Sequence, residues 1–247
     1  HQGVGTLSQE LRRSQDKTLN NATPDHRHNL RPENNLSHER AERTTHEATT
    51  SNTGATAMNE GRISKLICIV GTNGTGKTYL ANQFVENELK RGGKVLVVTS
   101  HDNEWTQFED ITTFSEFTAG GKRLVIYPDE EQATIKRISE KYYNGLLVLD
   151  DCGGYLGDKP PKAFKQLMIN RKQLMLDILF TAHSLRDLPK AIFSFNPVLI
   201  LKNTTAGIEG REKILAANGA LETIEKAQRE IKAKIKKDPY YYKIFNL

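Results

Sequence analysis

The chain has 247 residues and a mass of 27.8 kDa, enough for one well-cored domain with a tail or for two small domains. Its hydrophobic fraction of 37% is low for a chain that is globular throughout, and its formal charge of +5 is compatible with a nucleic-acid partner without demanding one over a mixed-charge surface. No apolar run approaches the roughly 18 residues of a membrane span, no secretory pattern opens the chain, and Cys68 and Cys152 lack zinc or disulfide spacing, which reads as buried thiols in a cytoplasmic protein.

Residues 1–57 differ in kind from the rest. They hold five of the seven histidines, His1, His26, His28, His38 and His46, and no aromatic residue. Ser, Thr, Asn and Gln are abundant and the few leucines follow no period. Such a segment buries too little apolar surface to offset chain entropy, so a disordered extension is expected. Met58 directly before the structured part suggests a natural start there, with residues 1–57 foreign to the native protein. The histidines are not spaced as metal ligands.

From Ile63 onward, short apolar runs alternate with helical periods. Leu66–Val70 is a continuous β-type run. Leu80, Phe84 and Leu89 repeat at helical spacing after it, and Gly92-Gly93 ends that helix. Val95–Val98 is the next buried run and Leu124–Ile126 a shorter one. Asp129 is a candidate cap for a helix carrying Ile135, Ile138 and Tyr142. Leu146–Leu149, a helix over Pro161–Gln173, and the strands Ile178–Thr181 and Val198–Leu201 follow. Strands that are apolar without alternation, separated by helices, indicate a mainly parallel α/β sheet covered by helices on both faces. Leu221, Ile224, Gln228, Ile231 and Ile235 mark one face of a long helix, which either packs on the domain or serves a subunit or nucleic-acid contact. The aromatic tail Tyr240–Phe245 should dock as an edge strand or in a groove.

Gly71, Thr72, Asn73, Gly74, Thr75, Gly76, Lys77 and Thr78 satisfy G-x-x-x-x-G-K-[ST], with an apolar strand before and an amphipathic helix after. The glycines let backbone N–H groups cradle phosphate oxygens at a helix N-terminus. Lys77 reaches the β- and γ-phosphates, and the Thr78 hydroxyl completes the shell of a Mg²⁺ ion. Leu146–Leu149 ends in Asp150 and Asp151, read as the metal-holding carboxylate and the group that polarises the attacking water; the alternative for Asp151 is a cap on the next turn. That pairing indicates ATP hydrolysis, and the guanine-reading Asn-Lys-x-Asp pattern is missing. His183, after Phe180-Thr181-Ala182, is either a γ-phosphate sensor or a loop histidine. Arg171 is either an arginine finger for a neighbour's ATP or a salt-bridging residue.

In this order the motifs resemble the FtsK–HerA superfamily of ring-forming DNA-pumping ATPases. The likeness spans about residues 64–205 and is carried by GTNGTGKT, LLVLDD, and the stretch from Arg171-Lys172-Gln173 to Asp177–Pro189. Within the superfamily it is similar to A32-like viral genome-packaging ATPases and to the ATPase domain of zonula occludens toxin-like phage proteins. The family's usual sensor is glutamine, where this chain has His183. The toxin-like proteins usually carry a membrane span after the ATPase domain, and a compact chain without one leans toward packaging. The resemblance implies a RecA/ASCE-like P-loop fold over residues 58–247, a homo-oligomeric ring, DNA gripped through its backbone, a capsid or portal-type vertex as a further partner, and a host-cytoplasmic or virion-associated location. Three other readings stay open: a helicase-loader-like AAA-type ATPase with Gly207–Lys237 as a reduced lid, a small-molecule kinase, and a module that binds ATP without hydrolysis.

Overall fold

The computed structural model describes residues 63–247, so the expectations for residues 1–57 and for Met58 lie outside the described residues. Among the described residues, seven strands form a single sheet in the order β3-β2-β4-β5-β1-β6-β7. They are β1 (Leu66–Val70), β2 (Lys94–Thr99), β3 (Gly120–Val125), β4 (Gly145–Leu149), β5 (Leu176–Ala182), β6 (Val198–Leu201) and β7 (Lys243–Asn246). Neighbours among the first six run parallel, and β7 joins β6 antiparallel.

Both faces of the sheet are covered, which is why its strands are apolar without alternation. Successive side chains of a strand point to opposite faces. Leu66, Cys68 and Val70 of β1, Leu147 and Leu149 of β4, and Ile178 and Phe180 of β5 belong to one core. The helices α2 (Glu131–Lys141), α3 (Lys162–Asn170), α4 (Glu212–Ala217) and α5 (Leu221–Lys234) add Ile135, Ile138, Phe164, Leu167, Leu215, Ile224 and Ile231 to it. Their opposite-facing neighbours Ile67, Ile69, Val148 and Leu179 are equally buried. On that side α1 (Lys77–Lys90) crosses β1, β2, β4 and β5 with Leu80, Ala81 and Val85 inward.

Several local expectations change. The stripe of α1 is Leu80, Ala81, Val85 and Glu88, with Phe84 and Leu89 only half-buried. Strand β3 starts earlier than its apolar residues suggest, because pairing with Lys94–Thr99 recruits Gly120–Arg123. Gly121 leaves room for the Phe108 ring, which a Cβ there would displace. Asp129 does not cap α2. It adopts φ 70, and Glu130 occupies the N-cap without a side-chain bond. The third helix stops at Asn170, and a turn with Met175 at φ 53 leads into β5. The long helix α5 packs its Ile224–Ala227–Ile231 face into the core, and only the end of the aromatic tail, from Lys243, enters the edge strand β7.

Cys68 and Cys152 are free, buried thiols pushed up by desolvation, and so chemically quiet. No described helix is long and apolar enough to cross a membrane.

Phe164 is fully buried and meets Phe180 edge-on at 6.0 Å between ring centres, whereas Ile169 on the same helix is largely exposed. Phe164→Ala should therefore lower the unfolding free energy by roughly 3–5 kcal/mol, while Ile169→Ala stays within about 0.5 kcal/mol of the parent. Urea-unfolding midpoints compared at equal slope check the pair.

Candidate functional site

Parallel strands bring their carboxyl ends to one edge, and the registers decide which residues meet there. Val70 of β1 is level with Ala182 of β5 and with Leu201 of β6; Leu149 of β4 is level with Phe180 and with Val98 of β2. One step further along each strand, Gly71, His183, Lys202, Asp150, Thr181 and Thr99 form a single rim.

The loop after β1 is pinned on both sides. Gly71 N–H donates to Ala182 O at 3.0 Å and Thr72 N–H to Asn203 O at 2.9 Å. The Thr75 hydroxyl donates to Thr72 O at 2.8 Å. Gly74 and Gly76 take φ 77 and 81, the left-handed region that glycine enters freely. Gly71 is needed for closeness, since a Cβ would meet Lys202 Cβ and Thr75 Oγ1 at 2.7 Å each. Gly76 is the N-cap of α1, so the loop delivers the first N–H groups and positive dipole end of that helix to its concave side. Asn73, Gly74 and Thr78 are exposed at that opening.

Lys77 leaves the first turn of α1 with only 7% of its surface exposed. Desolvation lowers its pKa, opposed by the charges of Asp151, Asp150, Glu104 and Asp187. Its amine donates to His183 Nδ1 at 3.3 Å, and His183 Nε2 lies 3.2 Å from Asp151 Oδ2. An Nδ1 that accepts from an ammonium leaves the ring proton on Nε2, so the chain reads donor to acceptor from Lys77 through His183 to Asp151. This joins three of the four expected catalytic residues.

Asp150 is 4% exposed and accepts twice: from the Thr181 hydroxyl at 2.5 Å and from Trp105 Nε1 at 2.7 Å. Thr181 Oγ1 in turn accepts from Asp151 N–H at 2.8 Å. Asp151 stands at φ 44, which turns its side chain out of the strand line toward His183. Its other oxygen, Oδ1, is buried with no partner among the described residues. A cavity of about 250 Å³ opens there, lined by residues including His101, Asp151, Gly153 and His183.

Arg171 is not brought to this rim. It precedes β5, and the start of a parallel strand lies at the opposite edge from its carboxyl end. Its guanidinium is buried, donates to Met168 O at 2.9 Å at the end of α3, and sits 5.3 Å over the Phe195 ring. A finger for a neighbouring subunit needs an exposed, reachable guanidinium, and this one closes its own helix.

Other residues at or near the rim were not singled out from sequence. Glu104 Oε2 accepts from the Thr99 hydroxyl at 3.2 Å, and burial followed by the Asp150 charge raises its pKa. Ligand atoms of His101, Glu104 and Asp151 lie within 4.8 Å of one another. The polar stretch His101–Trp105 right after a buried strand is the one signal that could have found them. Arg211, almost fully buried, donates to the Arg186 and Leu188 carbonyls and to Asp158, fixing the segment that follows His183.

Against known proteins, a scan of family models finds no match, and no curated protein matches the sequence. Solved structures do match in fold. The genome packaging NTPase B204 from Sulfolobus turreted icosahedral virus 2, in complex with ATP-gammaS, aligns at TM-score 0.57 and 16% identity over 74% of this chain and 92% of that one. The same protein in complex with sulfate aligns at 0.57 and 16% over 74% and 91%. The DNA-packaging ATPase B204 from Sulfolobus turreted icosahedral virus aligns at 0.57 and 13% over 74% and 92%. The chain thus has the P-loop NTPase fold, a mostly parallel α/β sheet with helices.

Lys202, which follows β6 behind the loop, is 3% exposed, and burial lowers its pKa to about 8. A folded-state pKa below the unfolded value of a lysine means the unfolded chain holds the extra proton between about pH 8 and 10.5. Stability attributable to Lys202 therefore rises with pH across that window and is lowest below it. Relative to Lys202→Met, the parent should gain stability between pH 7.5 and 9.5, read from paired urea titrations at about those two pH values.

Proposed function

We propose that the chain hydrolyses ATP and uses the energy to move DNA, as a motor of the genome-packaging kind. The observation that carries the hydrolytic part is the linked set Lys77–His183–Asp151 at the mouth of the Gly71–Thr78 loop. In this reading the loop's N–H groups hold the α- and β-phosphates, and Lys77 neutralises charge between the β- and γ-phosphates. Asp151 orients the attacking water and takes its proton as the γ-phosphoryl group transfers, leaving ADP and inorganic phosphate. Glu104, made more basic by burial, borders the same space. His183 touches both Lys77 and Asp151, so loss of the γ-phosphate is felt by the carboxylate through one side chain.

The residues fit a Mg²⁺ ion. Thr78 at the start of α1, Asp150, and Asp151 with its unpartnered buried Oδ1 are hard oxygen donors on one rim. Thr78 and Asp150 would hold it, Asp150 through water because both of its oxygens already accept hydrogen bonds. The bound ion would draw charge from the β- and γ-phosphate oxygens.

Support for DNA as the moved partner comes from two sides. The fold is shared with a protein described as a DNA-packaging ATPase. The exposed side of α5 carries Lys226, Arg229 and Lys232, with Lys236 and Lys237 in the turn after it. Such a basic surface suits phosphate contacts that read no sequence. The helicase-loader reading is weakened because Gly207–Lys237 does not stand apart as a lid: Leu215, Ile224 and Ile231 are part of the main core.

Lys77→Ala should abolish nucleotide binding. Asp151→Asn should keep ATP binding while turnover falls by about 10²–10⁴-fold, and Glu104→Gln by less. Double-stranded DNA should raise the ATPase rate at low salt, and neutralising Lys226, Arg229 and Lys232 should remove the stimulation but not the basal rate. Calorimetric ATP titrations read the binding predictions, and steady-state ATPase assays with and without DNA over a salt series read the rates. Unchanged turnover in Asp151→Asn, or no DNA effect at any salt, would sink the corresponding half of the proposal.

A further inference from the structure

The rim continues on the other side of β1, and that side has no role yet. In the strand order, β5 and β4 with His183 and the two aspartates flank β1 on one side, and β6 with β7 flank it on the other. Lys77 points its amine toward the β5 side, at His183. A triphosphate whose γ end meets that amine leaves its sugar and base on the far side of the loop, and the β6 and β7 side is the flank of β1 that His183 and the aspartates do not occupy.

The chain has built an aromatic surface at that place. Carbons of the Tyr240 ring lie 3.1 and 3.5 Å from where a Cβ would stand on Gly76, the N-cap of α1. Tyr79 lies three residues beyond Gly76, in the first turn of α1. The two rings are 61% and 69% exposed, among the most exposed large hydrophobic side chains of the described residues. Neither exposure comes from a loose segment. Lys202 Nζ donates to Tyr240 O at 3.2 Å, and Tyr240 N–H donates to Asp238 Oδ1 at 3.0 Å. Just beyond, Tyr241 OH donates to Glu230 at 2.8 Å, and Lys234 and Lys243 pair with the same carboxylate, whose pKa they and Tyr241 pull down to about 2. Strand β7 then locks the tail to β6.

We propose that Tyr79 and Tyr240 form the stacking platform for the base of the nucleotide whose phosphates lie on Gly71–Thr78. The proposal rests on the nucleotide reading above and adds the base subsite. The ligand class is a purine nucleoside triphosphate, held by its ring face and not read at its edges. Because the platform is fixed beforehand by Lys202, Asp238 and β7, little ordering opposes binding.

The test compares ATP, GTP and inorganic tripolyphosphate by calorimetry on the full chain and on Tyr79→Ala, Tyr240→Ala and Tyr240→Phe. Each alanine variant should weaken ATP and GTP by roughly tenfold, the scale of stacking a base on an aromatic ring, and leave tripolyphosphate unchanged. Tyr240→Phe keeps the ring and should bind all three like the parent, which separates stacking from any folding defect of the alanine variant. An equal loss for ATP and tripolyphosphate would mean the tail merely props the loop, and would overturn the proposal. So would alanine variants that bind ATP as the parent does. A parent chain that binds neither ATP nor tripolyphosphate would instead overturn the phosphate-site reading beneath it.

Discussion

An ammonium ion held mostly out of water is the constraint around which this molecule is arranged. Lys77 cannot be buried without compensation, and among the described residues no carboxylate forms an ion pair with it. It is stabilised by the summed field of four acidic side chains and by one imidazole nitrogen. That field exists because the parallel registers bring the ends of β2, β4 and β5 level with the end of β1. A slip of one residue in any of these pairings would turn Asp150 or Thr181 to the other face of the sheet and leave the lysine uncompensated.

The same registers explain the division of labour between adjacent aspartates. Asp150 continues the strand line and is saturated by Thr181 and Trp105, so it is a fixed, oriented charge. Asp151 is turned outward by its left-handed backbone and keeps an oxygen without a protein partner. Two identical side chains thus acquire different chemistry from one change of φ. The segment behind His183 is held with comparable care, by the Ser184–Asp187 capping box and by Arg211 gripping two carbonyls. His183 is thereby held from behind while its ring bridges Lys77 and Asp151.

Much of this was legible in the sequence, and the gaps have physical causes. Six strands announced themselves as apolar runs because a sheet covered on both faces permits nothing else, and the glycine loop announced itself by its spacing. Strand β3 runs beyond its apolar residues because Gly120–Arg123 owe their extended form to β2, not to their own composition. Thr181 and Lys202 escape because only the pairing of distant strands makes them neighbours of the loop, and Glu104 and Trp105 are marked only by the polar stretch that follows β2. Arg171, expected either as a finger for a neighbour's ATP or as a salt-bridging residue, precedes a parallel strand and so starts at the edge opposite the chain's own loop; its contacts with Met168 O and the Phe195 ring come from packing that the sequence does not display.

Trp105 is the single tryptophan of the chain, and its indole N–H is committed to Asp150. Indole emission is sensitive to the charge and polarity beside the ring, so the molecule carries its own optical gauge at the rim. Events there can be followed in the unlabelled protein, in real time, with the rest of the fold silent at that wavelength. Whatever binds at the rim can then be timed by its own kinetics, without attaching a dye to the surface.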